Sequence, residues 1–144
     1  MAIERMDHVG VVVADLKAAK QFFLALGLEL QGEAEAEGQW VDRIIGLEGT
    51  HTSFAMMQTP DGHSRVELIE FHSPPAVEGS AAGPSNATGL RHITFAVDDL
   101  DATLARLRDH GAELVGVVET HKDIYRLCYI RGPEGIILEL AERL

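Results

Sequence analysis

The sequence predicts an α+β fold built from two copies of a βαβββ module, because features of the first half return in the second. A histidine lies on an apolar strand at His8 and again 84 positions later at His92. The glycines expected to end the first helix of each half repeat at the same interval. A stretch rich in Pro, Gly, Ala and Ser, residues 73–89, reads as a linker between the copies. Two copies of this length indicate paired modules, 5–72 and 90–143, in a single domain spanning residues 1–144.

The first module begins with a valine-rich run, residues 6–13, which predicts a mostly buried strand. Asp15 can cap the helix that follows, and Gly27 is placed to end it. Residues 40–47 are ambiguous and fit a short irregular or helical crossing, whereas Pro-Asp-Gly at 60–62 is typical of a turn. Three further strands are expected at 28–35, 52–58 and 65–71.

The second module repeats this plan. Residues 90–97 predict a strand, and Asp98 or Asp99 can cap a helix whose leucines recur at helical spacing up to Gly111. Gly-Pro-Glu-Gly at 132–135 predicts a turn. The remaining strands are expected near 113–119, 125–130 and 136–141.

Composition excludes several classes of function. The formal charge of −11 disfavours nucleic acid as a partner, because phosphate backbones attract basic surfaces. The single cysteine, Cys128, allows no internal disulfide and fits a reducing cytoplasm. We expect no secretion signal and no membrane span, and therefore a cytoplasmic protein with a core drawn from its 46% hydrophobic residues.

Four residues at matched places in the two halves could carry chemistry: His8 and His92 on the first strands, and Glu67 and Glu139 on the last. A carboxylate on an apolar strand face is costly unless something compensates its charge, and one divalent cation would compensate two. Imidazole and carboxylate ligands favour Zn, Ni, Co, Fe or Mn over Ca or Mg. A lone strand histidine is more often packed than bound to metal, but the repetition favours a metal site.

The chain resembles the vicinal-oxygen-chelate superfamily, which contains glyoxalase I, methylmalonyl-CoA epimerase, extradiol dioxygenases, fosfomycin-resistance enzymes and bleomycin-binding proteins. The resemblance spans residues 6–141 and rests on Asp-His-Val-Gly at 7–10, the run from Gly to Asp at 89–99, and Gly-Pro-Glu-Gly-Ile-Ile-Leu-Glu-Leu at 132–140. It implies that the two modules form a curved mixed sheet around a central cavity that holds a metal.

The resemblance also implies a ligand set. His8, Glu67, His92 and Glu139 fall on the four positions that bind metal in glyoxalase I. The epimerase has Gln at the position of Glu67, and the iron dioxygenases and fosfomycin enzymes use only the other three positions. A complete set of two histidines and two glutamates therefore favours the lyase and isomerase branch.

Two differences from the glutathione-using enzymes bear on the substrate. Those enzymes carry Arg four residues after the first histidine and Asn four residues after the first glutamate, where this chain has Val12 and Phe71. The differences count against a glutathione hemithioacetal. The opening Asp-His-Val-Gly is closer to the epimerase.

The expected mechanism is stabilisation of an enediolate or enolate by the metal, with proton transfer between adjacent carbons or inversion of one stereocentre. We assign Glu139 as the base and Glu67 as its partner, acting on a small α-oxygenated carbonyl compound or thioester. Arg126 and Arg131 are candidates to bind an anionic group of the substrate. Six residues are expected either to line an apolar pocket for the substrate or to pack in the core: Trp40, Phe54, Met56, Phe71, Phe95 and Tyr125.

The other titratable residues are expected to lie outside the site. Glu70 should point to the face opposite Glu67, and Cys128 should be a small buried residue. The remaining histidines, in loops or at element ends, are expected to be solvated. They are His51, His63, His72, His110 and His121.

Two other functions remain open. One is a mononuclear iron dioxygenase using His8, His92 and Glu139, against which Glu67 counts, since a fourth ligand crowds the positions that O2 and substrate need. The other is a ligand-sequestering protein of the bleomycin-resistance type, which would lack the metal set. In each case we expect a small-molecule ligand and a homodimer, whose metal site could lie within one chain or across the interface.

Overall fold

The computed structural model describes residues 2–144, which divide into two compact units, one ending at Val77 and one spanning Glu78–Leu144. The first unit contains β1 (Val9–Val12), α1 (Leu16–Leu26), β2 (Glu29–Glu37), α2 (Gln39–Ile45), β3 (His51–Gln58) and β4 (Arg65–Ser73). The second contains β5 (His92–Val97), α3 (Leu100–Arg108), β6 (Glu113–Leu114), β7 (Glu119–His121), β8 (Tyr125–Arg131), a 3-10 turn (Pro133–Gly135) and β9 (Ile137–Arg143). This element order confirms the α+β class and the βαβββ pattern of each half.

The first unit is a four-stranded mixed sheet in the order β1-β4-β3-β2, with α1 on one face. β1 runs parallel to β4, and the other neighbours are antiparallel. Phe22, Phe23 and Leu26 of α1 are buried together with Met57 and Leu68 of the sheet. Because side chains alternate between the two faces of a strand, Glu67 lies on the face opposite this core.

The helix ends follow the capping residues expected from the sequence. The Asp15 side chain accepts a hydrogen bond from the Ala18 amide at 3.0 Å, and Gly27 ends α1 with a φ of 121° that favours glycine. Asp99, rather than Asp98, caps α3, since its carboxylate accepts from the Ala102 amide at 3.0 Å.

The second unit has a sheet in the order β5-β9-β8-β6, with β7 also paired to β8. Again the first strand of the module, β5, is parallel to the last, β9. Leu104 and Leu107 of α3 are buried, as are Leu138 and Leu140 of β9, which α3 contacts. Glu139 lies between these two leucines and so faces away from the helix.

Two segments bear on the site or depart from the expected elements, and a third resolves an ambiguity. The strand expected at 113–119 is divided into β6 and β7, although Val115 still donates from its amide to the Tyr129 carbonyl at 2.9 Å. β1 begins at Val9, which leaves His8 just before the strand. The segment at 40–47, for which an irregular or a helical crossing was expected, forms the helix α2.

Part of the expected linker belongs to the second unit. Arg91 donates from Nη1 to the Ser80 carbonyl at 3.2 Å, and Arg131 donates from Nη1 to the carbonyls of Gly83 and Gly135 at 2.9 and 3.0 Å. The guanidinium groups of Arg91 and Arg131 thus connect the segment 78–89 to the rest of the second unit. Among residues 2–144, no helix combines the length and the apolar character needed to span a bilayer.

Candidate functional site

In the second unit, the pairing of β5 with β9 brings His92 and Glu139 together. The parallel register places Thr94 opposite Glu139, and His92 lies two residues earlier on the same face. His92 Nε2 is 3.5 Å from Glu139 Oε1, and Thr94 Oγ1 donates to the same carboxylate oxygen at 2.8 Å. The carboxylate is therefore fixed beside the imidazole.

The other nitrogen of His92 also has a partner. The Tyr129 hydroxyl lies 3.3 Å from His92 Nδ1, and the two ring centroids are 4.9 Å apart. Tyr129 is opposite Glu139 in the β8–β9 register. Two ligands of one ion, with bonds of about 2.1 Å, lie roughly 3.0–3.4 Å apart, so the 3.5 Å between His92 and Glu139 fits a shared divalent transition metal. A hydrogen bond to the nitrogen that does not bind metal is typical of ligating histidines.

In the first unit, the corresponding residues lie on the last strand and immediately before the first. Glu67 is opposite Gly10 in the β1–β4 register, and His8 lies two residues before Gly10. Glycine therefore occupies the place that Thr94 has in the second unit, and Glu67 has no equivalent of the threonine hydrogen bond.

Asp7 holds the imidazole of His8. Its Oδ2 lies 2.7 Å from His8 Nδ1, and its Oδ1 accepts from Arg65 at 2.7 Å and from Arg5 at 3.1 Å. The hydrogen bond to His8 and the charges of Arg65 and Arg5 hold the pKa of Asp7 below its ordinary value. An ionised Asp7 favours a proton on Nδ1 and leaves Nε2 of His8 available to a metal.

The faces that carry the two glutamates differ in their surroundings. Phe54, Met56 and Phe71 share the face of Glu67 and are half-buried. Tyr125 shares the face of Glu139 and is 39% exposed. An open cavity of about 390 Å³ beside Glu139 is lined by Val115, Gly116, Val117, Leu127, Cys128, Tyr129 and Glu139.

Two of the expected substrate-binding residues lie on the other face of the second sheet. Phe95 is opposite the buried Leu140, on the side covered by α3. Arg126 donates to both carboxylate oxygens of Asp101 at 2.9 Å and lies 3.5 Å from Glu142. This guanidinium is thus already engaged by two carboxylates.

The other residues weighed from the sequence have these surroundings. Arg131 holds two backbone carbonyls, Trp40 of α2 is 61% exposed, and Cys128 is buried, which raises the pKa of its thiol. Glu70 lies on the α1 side of its sheet, where it accepts from the Leu16 amide at 3.3 Å.

His51 and His72 lie at strand ends, as expected, but they are not isolated. Together with Glu35 they form a group whose possible ligand atoms all lie within 4.8 Å of one another. Sequence reasoning also missed Asp7, Thr94 and Tyr129 as partners of the paired histidines and glutamates. The positions of Asp7 beside His8 and of Thr94 two residues after His92 were visible signals, whereas Tyr129 required the β8–β9 register.

Comparison with known proteins agrees with this architecture. The sequence model of the Glyoxalase/Bleomycin resistance protein/Dioxygenase superfamily matches residues 5–140. The chain belongs to this superfamily. Its members include epimerases, fosfomycin-resistance enzymes and dioxygenases, they bind small molecules and a divalent metal, and they are often dimeric. The resemblance to the vicinal-oxygen-chelate fold is thereby confirmed.

Three members of the superfamily illustrate its range. The crystal structure of a glyoxalase family protein from Bacillus cereus is 48% identical, with a TM-score of 0.97 over 100% of this chain and 97% of that one. A 2-epi-5-epi-valiolone epimerase from an Actinomyces species is 31% identical over 94% of this chain and 77% of its own length. An ethylmalonyl-CoA/methylmalonyl-CoA epimerase from Cereibacter sphaeroides is 32% identical over 79% of this chain and 76% of its own length.

Proposed function

We propose that this chain is a metal-dependent isomerase or lyase that transfers a proton beside the carbonyl group of a small α-oxygenated ketone or thioester. The observation that carries the proposal is the His92–Glu139 pair, with 3.5 Å between Nε2 and Oε1 and with hydrogen-bond partners on both residues. The two epimerase relatives support this reaction class, because both names describe inversion of a stereocentre.

The ligands proposed for the divalent ion are His8, Glu67, His92 and Glu139. His92 and Glu139 share a face of the second sheet, His8 comes two residues before Gly10, which is opposite Glu67, and each histidine has a partner at Nδ1. Zn, Ni, Co, Mn and Fe all accept this donor set. When bound, the ion supplies a Lewis acid that stabilises negative charge developing on a substrate oxygen.

Glu139 is the proposed base. Its side chain is 20% exposed, and Thr94 fixes one carboxylate oxygen, so the other oxygen is free to take a proton from a substrate carbon. Glu139 lines the open cavity of about 390 Å³, which leaves room for a small substrate next to this residue. Glu67, which has no threonine partner, is the corresponding acid or base for return of the proton to the adjacent carbon or the opposite face.

Apolar and aromatic side chains on the faces of the two glutamates would bind the rest of the substrate. Phe54 and Phe71 share the face of Glu67 on the first sheet, and Tyr125 shares the face of Glu139 on the second. We do not assign Arg126 to the substrate, since Asp101 and Glu142 neutralise it on the opposite face.

Hydrogen exchange in D2O tests the proposed reaction. Chelator-treated protein, reloaded separately with Zn, Ni, Co, Mn or Fe, is incubated with methylmalonyl-CoA or with 2-epi-5-epi-valiolone, and loss of the proton signal beside the carbonyl is followed by NMR. The proposal predicts metal-dependent exchange with at least one of the two. Absence of exchange with every ion, together with oxygen uptake on a catechol by the iron-loaded protein, would instead establish the dioxygenase.

Replacing Asp7 with Asn is expected to weaken metal binding about 10–100-fold, the usual effect of losing a carboxylate that orients a ligating histidine. The amide is neutral and can present its NH2 group to Nδ1, which favours the wrong tautomer of His8. Competition with a chromophoric chelator measures the change. Asp61→Asn, in an exposed turn of the same unit, is the control, and equal affinities of the two variants would remove Asp7 from the site.

A further inference from the structure

A second group of metal-binding side chains lies in the first unit, on three neighbouring strands. Glu35 of β2, His51 of β3 and His72 of β4 offer one ligand atom each, all within 4.8 Å of one another. His51 Nε2 is 2.9 Å from Glu35 Oε1, and the His51 and His72 ring centroids are 4.8 Å apart. The strand pairing β2-β3-β4 thus gathers two imidazoles and a carboxylate from three segments that are distant in sequence.

This group is on the face of the sheet opposite Glu67. Ser53 is opposite both Glu35 and Glu70 in the strand registers, and these three positions lie on the side of α1. The contact of Glu70 Oε1 with the Leu16 amide, at 3.3 Å, places this row beside the first turn of α1. The group is therefore separate from the ligands proposed for the catalytic metal.

The surroundings of His72 suit a metal ligand. The Ser53 hydroxyl lies 2.7 Å from Nε2, and Glu70 Oε2 lies 3.7 Å from Nδ1, so a protein group can orient one nitrogen while the other binds an ion. The β3–β4 register shifts between His51 and Thr52. Irregularities of this kind change the direction in which nearby side chains point, and this one lies beside the two histidines.

We propose that Glu35, His51 and His72 bind a second divalent transition-metal ion of the Zn²⁺ class, with water or Glu70 in the fourth position. Two imidazoles and a carboxylate are a zinc donor set, and tetrahedral ligands with bonds of 2.0–2.1 Å lie about 3.3 Å apart. Since Glu35 is 65% exposed and both histidines are more than a third exposed, small side-chain rotations close the remaining gap. The ion joins β2, β3 and β4 and so stabilises the folded first unit.

The second unit shows that this sheet architecture does not require histidines at this place. In the β8–β9 register Arg126 is opposite Glu142, just as Ser53 is opposite Glu70 in the first unit. Arg126 there forms an ion pair with Asp101 of α3 and with Glu142. A direct ion pair thus occupies the second sheet where the first has a set of metal donors.

Calorimetric titration with ZnSO4 tests the proposal in a His92→Ala/Glu139→Ala background, which removes two of the four ligands proposed for the catalytic metal. About one equivalent of Zn²⁺ is expected to bind, and at roughly 100 times its Kd to raise the Tm by about 8 °C. Adding His51→Ala/His72→Ala should abolish both effects. His63→Ala, in the exposed turn between β3 and β4, is the matched control and should retain them.

A second double variant, His51→Gln/His72→Gln, is included in case the alanine variant fails to fold. In the absence of metal, the Tm of each histidine variant should equal that of the parent protein. NMR of the imidazole nitrogens should show Zn²⁺-dependent shifts of His51 and His72 but not of His63. Equal Zn²⁺ binding by the parent and by both histidine variants, or no binding by the parent, would overturn the proposal. Neither result would bear on the proton transfer assigned to Glu139, which is measured in the protein with all four of its proposed ligands.

Discussion

Glu139→Gln is expected to slow proton exchange by about 10²–10⁴-fold, the usual contribution of a positioned general base. Glutamine keeps an oxygen that can accept from Thr94 and bind a metal, but it cannot take a proton from carbon. The variant should therefore retain most of its metal while losing the reaction. Exchange in D2O and metal content are measured on the same sample.

The control for this variant lies on the same strand. Glu142→Gln changes a carboxylate on the opposite face of β9, where it lies near Arg126 and away from the cavity. It should exchange at nearly the rate of the unaltered protein. Equal loss in both variants would point to damage to β9, and full activity of Glu139→Gln would show that another group is the base.

Phe23→Ala is expected to lower the free energy of unfolding by about 3–5 kcal/mol. The Phe23 ring is fully buried and meets Phe22 edge to face, with centroids 5.7 Å apart, so truncation leaves a cavity between α1 and the sheet. Urea unfolding followed by fluorescence measures the loss, because the single tryptophan, Trp40, belongs to the first unit.

Leu24→Ala is the control for this packing, since Leu24 follows Phe23 on α1 but is 47% exposed. Leucine and alanine have similar helix propensities, so a change of no more than about 0.5 kcal/mol is expected. A loss below about 1 kcal/mol for Phe23→Ala would mean that the core of the first unit is not where the structure has it.

The caps and turns could be read from the sequence because their causes are local. Asp15 and Gly27 act within a few residues of their own positions, and both delimit α1 as expected. The division of the expected strand at 113–119 into β6 and β7 could not be predicted from local sequence. It depends on which residues form backbone hydrogen bonds with β8. Apolar residues such as Val115 and Val117 predict a strand whether or not a partner continues alongside them.

For the candidate site, too, the sequence predicts which face of a strand a residue occupies but not its partners on other strands. Alternation along β9 was enough to put Glu139 on the face away from α3, and alternation along β5 would have put Phe95 on the other face. The partnership of Tyr129 with His92, and the gathering of His51 with His72, depend on which residues of different strands are opposite each other. A one-residue change of register reverses such contacts, so the sequence pattern alone cannot specify them.

Metal analysis tests the central claim most directly, namely that His8, Glu67, His92 and Glu139 bind a divalent ion. Tag-free protein carrying His51→Ala/His72→Ala, which removes the second group of ligands, is purified without chelators and measured by elemental analysis, with and without His8→Ala/His92→Ala. We predict about one equivalent of Zn, Ni, Co, Mn or Fe in the first protein and nearly none in the second. The same metal content in both, or none in either after dialysis against each ion, would contradict the claim.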